Sequence, residues 1–217
     1  MNQVTENKGI IFVFSAPSGA GKTTILNFLK ESIPELVYSI SATTRKPRKG
    51  EIDKHHYFFM SEKEFLDRKE KNEFAEWAFV HGNYYGTPKS FIDNTINKGL
   101  HIIMDIDVFG KKQFDKVYPE AVGILILPPG LKELEKRLRG RNSDDEETIL
   151  LRLENARKEM EFARKKGKYE YTIVNDNLGQ TKCRVESLVK SIIQNRTGDL
   201  INGGRPGSAS QNNSRLS

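Results

Sequence analysis

Eight consecutive residues, Ala16-Pro17-Ser18-Gly19-Ala20-Gly21-Lys22-Thr23, carry the strongest chemical signal in the chain. They follow the pattern G-x-x-x-x-G-K-[ST], except that Ala16 stands at the first glycine. Glycine lets the backbone curl its N–H groups around phosphate oxygens, and a following helix turns the positive end of its dipole toward the same oxygens. In that arrangement Lys22 reaches the β- and γ-phosphates of a nucleotide, and the Thr23 hydroxyl sits on the accompanying Mg²⁺. The competing reading is a Gly-rich turn that binds nothing. It fails because strand, loop, Lys-Thr pair and helix stand in register. Ala16 is harmless if its φ is negative and damaging otherwise. ATPases, GTPases, helicases and small-molecule kinases all remain open on this signal alone.

The elements that must position such a loop are legible in the flanking residues. Gly9–Ser15 (GIIFVFS) is short, continuously apolar and rich in β-branched and aromatic residues, as a strand buried on both faces would be. After the loop, Ile25, Leu26, Phe28 and Leu29 fall at helical spacing, and the helix stops before Pro34. Further buried-strand runs occur at Leu36–Ser41, Leu100–Ile106, Ala121–Leu127 and Tyr171–Val174. Thr87 as N-cap with Pro88 at the first helical position opens a helix through Phe91, Ile92 and Ile96, closed by Gly99. Leu131, Leu134 and Leu138 line one face of the next helix. Ser143 and Glu146 have capping-box spacing before a long stripe of Ile149, Leu153, Ala156, Met160 and Ala163. Val185, Leu188, Val189, Ile192 and Ile193 mark a last amphipathic helix. The alternation predicts an α/β fold, a parallel sheet of five strands flanked by helices.

The stretch from about Thr43 to Gly86 interrupts that alternation. It holds Arg45, Lys46, Arg48 and Lys49, then aromatic strands, a short helix beginning near Ser61, and a Gly82-Asn83 turn between Phe79 and Tyr84. Beyond Arg196 the residues are mainly Gly, Ser and Asn, a composition expected of a flexible tail over 197–217. The longest apolar run is far shorter than the roughly 20 residues of a membrane helix. Met1–Lys8 is polar, and a single cysteine, Cys183, excludes a disulfide framework or Cys-based zinc site. A cytoplasmic protein with no membrane partner is expected. Of the 217 residues, 35 are basic and 29 acidic, a net +6 that suits an anionic partner without choosing one.

Beyond the loop, a set of ordered motifs resembles guanylate kinase of the bacterial type. These are Ser41-Ala-Thr-Thr-Arg45-Lys-Pro-Arg48-Lys-Gly-Glu51, Tyr57, Phe74-Ala-Glu76-Trp77, and Gly82-Asn-Tyr-Tyr85-Gly-Thr87. Asp105-Ile-Asp107 and Ile173-Val-Asn175-Asp176 complete the likeness, which spans roughly residues 8–196. It implies a P-loop kinase fold with core segments 8–42 and 88–196, a GMP-binding insertion over about 43–87, and a helical lid over about 137–157. The implied reaction is ATP-dependent phosphorylation of GMP, and of dGMP, with Mg²⁺ as cofactor and nucleotides rather than nucleic acid as partners. Lys22, Arg45, Arg141 and Arg152 take catalytic roles on this likeness. Ala16 to Thr23, Arg137, Asn175 and Asp176 bind ATP. Ser41, Arg45, Arg48, Tyr57, Glu76, Tyr85, Thr87, Asp105 and Asp107 bind GMP.

Residue chemistry agrees with these assignments. Guanine presents an N1–H beside an N2 amino group, and a carboxylate such as Glu76 accepts both, whereas adenine offers a lone pair that it would repel. The forked guanidinium groups of Arg45 and Arg48, with the Tyr57 and Tyr85 hydroxyls, suit a 5′-phosphate. The nucleophile would be a phosphate oxygen already ionised at neutral pH, so no catalytic histidine is required, and His55, His56, His81 and His101 form no metal-ligand set. Lys54, where some relatives have glycine, leaves the shape of its loop in question. The alternative is a non-catalytic binding module of the same fold. Such modules usually lack an intact phosphate loop, and here Lys22 and Thr23 stand.

Overall fold

The computed structural model describes residues 8–140 and 145–201. Its centre is β1 (Ile11–Ser15), buried at every position. Because successive strand residues face opposite sides, Ile10, Phe12 and Phe14 pack with Ile25, Leu26 and Leu29 of α1 (Lys22–Ser32) and with Val185 and Val189 of α7 (Leu178–Ile201). Ile11 and Val13 turn the other way, onto Ile92 and Ile96 of α3 (Lys89–Ile96) and Phe114 of α4 (Val108–Val117). Each fully buried Phe, Ile or Leu side chain contributes about 1.5–3 kcal/mol, which is why an apolar run on both faces commits this strand to the middle. β1 pairs in parallel with β7 (His101–Asp105) and β8 (Val122–Leu127). Outside them lie β2 (Leu36–Tyr38) and β9 (Tyr171–Val174), giving a five-stranded parallel sheet in the order β2-β7-β1-β8-β9.

Between β2 and α3 the chain builds a second sheet in the order β4-β3-β6-β5. Its strands are β3 (Ala42–Thr43), β4 (Phe58–Phe59), β5 (Phe74–Val80) and β6 (Asn83–Pro88), with α2 (Glu62–Glu70) against one face. Phe65 of α2 is fully buried and stacks on Phe74 at 4.4 Å and Tyr84 at 5.3 Å between ring centroids. A side chain at Gly86 would press on the same Phe65 ring, at 3.0 Å. The Ser61 hydroxyl caps α2 by accepting from the Glu64 N–H, as the sequence suggests. The β5–β6 turn falls one residue earlier than the Gly82-Asn83 expectation. His81 and Gly82 hold its centre with φ of 50° and 76°, and Asn83 already pairs with Val80, a type I′ hairpin suited to strand twist.

Other boundaries also shift. Thr87 and Pro88 end β6, and α3 starts at Lys89. α5 (Leu131–Arg139) buries Leu134 and Leu138 but leaves Leu131 exposed. α6 (Glu146–Lys166) is capped by Asp145, whose carboxylate accepts from the Thr148 N–H at 2.8 Å, so the Ser143/Glu146 capping box does not form its start. Ser143 itself lies outside the described residues. α7 runs on to Ile201, past the Arg196 boundary expected from composition, and residues 202–217 are outside the description. α4 was not expected at all. Among the described residues no helix is long and apolar enough to cross a membrane.

Candidate active site

The loop between β1 and α1 takes the shape its glycines permit. Gly19 and Gly21 have φ of 86° and 93°, in the left-handed region. Ala16 is not among the residues with positive φ, and its methyl group is buried, so the missing glycine costs nothing there. Beneath the loop, Leu134 and Leu138 of α5 would lie within 3.0 Å of any side chain at Gly19. On its other flank the buried Asn175, following β9, donates from Nδ2 to the Ala20 carbonyl at 2.8 Å. A Cβ at Gly21 would fall 2.6 Å from the same Nδ2. Asn175 is thus a brace of the loop backbone, a role its position after a strand does not advertise. The Ser18 N–H donates to Glu159 Oε2 of α6 at 3.2 Å, and burial pushes that carboxyl above its ordinary range.

Lys22, the first residue of α1, forms an ion pair with Asp105 at the end of β7. The Tyr38 hydroxyl, at the end of the neighbouring β2, donates to the other Asp105 oxygen at 3.5 Å. Burial, and then Asp105, raise the Tyr38 phenol above its usual value. Three adjacent parallel strands therefore bring lysine, carboxylate and phenol together at their C-terminal edge, where open α/β sheets bind their ligands.

From Asp105 a cleft of about 390 Å³ extends toward the second sheet. Ser41, Tyr57, Glu76, Tyr85, Thr87, Asp105 and Asp107, far apart in sequence, all line it. Glu76 on β5 accepts the Thr87 hydroxyl of β6 at 2.6 Å. Burial, reinforced by nearby Asp107, pushes the Glu76 carboxyl up to about 7 against the opposing Thr87 hydrogen bonds. Asp107 has a second occupation: its Oδ1 caps α4, accepting from the Phe109 and Gly110 N–H groups at 2.8 and 2.7 Å. Gly110 is needed there because a Cβ would lie 3.1 Å from Glu76 Oε2.

Arg45 and Arg48 are not in the cleft wall. Arg45 borders it, with its guanidinium 5.4 Å from the Tyr57 ring centroid and in contact with the Tyr85 hydroxyl. The chain's own anion already holds it: Nη1 and Nη2 donate to Glu51 Oε2 and Oε1 at 2.9 and 2.8 Å. Arg48 is exposed, and its backbone N–H donates to Glu51 at 2.7 Å. Arg137 bonds to Glu133 at 3.1 Å and to the Asp176 carbonyl at 3.3 Å, which joins α5 to the turn after β9. Asp176 itself is held by Arg184 at 2.6 Å. Arg152 is partly buried on α6, and Arg141 lies outside the described residues. Sequence reasoning gave no role to Glu51, Glu159 or Tyr38; only Glu51, within the arginine motif, had a signal that could have marked it.

Among the described residues no three His, Cys, Asp or Glu side chains cluster as a metal cage. A Mg²⁺ that travels with nucleotide phosphates needs no cage, since it keeps several waters and takes one or two protein oxygens. The exposed Thr23 hydroxyl in the first turn of α1 fits that need.

A guanylate kinase family model matches residues 8–192. The guanylate kinase of Chromobacterium violaceum is 44% identical over 191 residues, 88% of this chain and 88% of its own length. That of Bartonella henselae is 46% identical, covering 86% of this chain and 81% of its own. The crystal structure of guanylate kinase from Anaplasma phagocytophilum superposes with a TM-score of 0.64 at 32% identity, covering 85% and 86% of the two chains.

Proposed function

The chain belongs to the guanylate kinase family and is an ATP:GMP phosphotransferase; we propose that the 16–23 loop takes the ATP phosphates, that the adjoining cleft takes GMP, and that the two meet at Asp105. The observation that carries this assignment is that Asp105 is at once a wall of the cleft and the partner of Lys22. A monophosphate in the cleft and a triphosphate on the loop then bring acceptor and donor phosphates together beside Lys22, the cation that Asp105 holds in place.

Within the cleft, Glu76 accepts the guanine N1–H and N2 amino group, with the Ser41 and Thr87 hydroxyls and Asp107 completing the base contacts. Thr87 already orients the Glu76 carboxylate, which costs less than orienting it on binding. Arg45, Arg48, Tyr57 and Tyr85 hold the 5′-phosphate. The reading extends to dGMP, which presents the same base and the same 5′-phosphate to these residues. Lys22, Arg45, Arg141 and Arg152 stabilise charge on the transferred phosphoryl group, while Arg137, Asn175 and Asp176 border the ATP side. Thr23 holds Mg²⁺ together with phosphate oxygens and water, and the ion when bound neutralises charge on those oxygens. The attacking phosphate oxygen is already ionised, so positioning and charge stabilisation supply the catalysis. ATP as co-substrate and the exposed free Cys183 accord with a cytoplasmic site of action.

The test is ADP release measured by a coupled assay with GMP, dGMP, AMP, CMP and UMP. Turnover with GMP and dGMP alone supports the assignment. Equal turnover with AMP would remove Glu76 from the role of base reader.

A further inference from the structure

Resting on the reading of the cleft as the GMP site, we propose that Glu51 is a positioning residue for the phosphate of GMP, acting through Arg45. A guanidinium has five N–H groups arranged as two forks. The end-on fork is made by Nη1 and Nη2, and the side-on fork by Nε and the second hydrogen of Nη2. Glu51 occupies the whole end-on fork of Arg45, at 2.9 and 2.8 Å, and the remaining Nη1 hydrogen goes to the Lys46 carbonyl at 2.8 Å. These bonds leave the side-on fork, two parallel N–H groups at the spacing of two phosphate oxygens, to be shared between the Tyr85 hydroxyl and an incoming phosphate. The guanidinium also lies 5.4 and 5.8 Å from the ring centroids of Tyr57 and Phe59, and the Tyr85 hydroxyl contacts it.

The same carboxylate fixes the loop that carries the second arginine. Glu51 Oε2 also accepts the Arg48 N–H at 2.7 Å, and the Glu51 N–H returns to the Arg48 carbonyl at 3.0 Å. That i to i+3 bond closes a turn with Gly50 at φ 88° in its third position, as a type II turn requires. One side chain thus holds Arg45 in a single plane and Arg48 in a single backbone conformation before any substrate arrives. The hydrogen bonds from Arg45, and then the Arg48 N–H, hold the Glu51 carboxyl down to about 2, so it stays ionised throughout the working pH range.

The role has a kinetic signature distinct from that of a group that merely supports the fold. Glu51→Gln keeps the size but sets an amide N–H against the Arg45 fork, which frees the guanidinium to rotate. The KM for GMP is expected to rise at least about tenfold, while the KM for ATP stays within about threefold. In an Arg45→Lys background, which has no fork to orient, Glu51→Gln should add less than about threefold to the KM for GMP. Equal effects in the two backgrounds, or a rise in the KM for ATP matching that for GMP, would overturn the proposal. If Glu51→Gln does not fold, Glu51→Asp keeps the charge on a shorter stem. It should raise the KM for GMP selectively by a smaller factor, and a parental KM would overturn the proposal. A parent chain without GMP-dependent ADP release would instead strike at the kinase reading itself.

Discussion

The carboxyl of Glu76 should make GMP use depend on pH in a way that a single substitution removes. Burial raises it to about 7 from an ordinary 4.5, yet guanine offers it two donors, which only the ionised form accepts in full. GMP therefore selects the carboxylate. With half-ionisation near pH 7, about nine-tenths of Glu76 is ready at pH 8 and about one-tenth at pH 6, so kcat/KM for GMP should fall about tenfold across that interval. The phosphate of GMP also gains a proton near pH 6, and its contribution must be separated. Glu76→Gln serves that purpose, since its amide does not titrate and the substrate phosphate is unchanged. The assay is kcat/KM for GMP from pH 5.5 to 8.5 for both proteins at fixed saturating ATP. The parent's curve should drop about tenfold further than the variant's between pH 8 and 6, and the variant, lower at pH 8, should lose its disadvantage toward pH 6. Parallel curves would refute the reasoning, because the carboxyl would then be either ionised throughout or irrelevant to the base.

The same group bears on stability with the opposite sense. Its folded value lies above its unfolded one, so it destabilises the fold above pH 7, by up to about 3 kcal/mol, and this cost fades as pH falls toward 4.5; thermal unfolding should show Glu76→Gln more stable than the parent at pH 8 and equal to it near pH 4.5. Lys22→Ala should leave a folded protein whose kcat is at least about 100-fold lower, since a charge on the transferred phosphoryl group is lost; near-normal turnover would exclude the loop from the chemistry. Lys54 is exposed with φ of 62°, a conformation glycine adopts without strain, so Lys54→Gly should stabilise by about 0.5–1 kcal/mol in urea titration, with KM for GMP unchanged.

What the sequence discloses here follows from how local each cause is. β1 and the loop after it are legible because apolar residues on both faces and glycines at a strand end act over a few positions. α4 is hidden by Lys111, which stands where its buried stripe needs an apolar residue. That lysine is 1% exposed, pairs with Asp115 one turn on, and lies 5.3 Å from the Tyr169 ring centroid; its stem packs as a hydrophobe while its charge is satisfied out of sequence view. Asp107, read only as a cleft residue, is also the cap of that helix. The residues lining the cleft were legible one by one through resemblance. Their supports were less so: Glu51 stands inside the arginine motif but shows its grip on Arg45 only once the loop is folded, and Asn175 braces Ala20 through a contact 155 residues apart that only the tertiary structure creates.

The central position of β1 has a consequence for how the protein is made. Ile10 bonds to His101, 91 residues further along the chain, and the other flank of β1 closes only on Val122–Leu125. β1 thus leaves the ribosome before either strand that flanks it, and has both partners only once Leu125 has been made. Until then it can only dock on the helix directly behind it, an arrangement with exposed edges on both sides. Long-range pairing of this kind slows folding and exposes sticky edges to other chains. Synthesis at about 5–20 residues per second leaves β1 waiting some seconds for β7, so the nascent chain, rather than the finished enzyme, is where substitutions in residues 10–14 should first reveal themselves as aggregation.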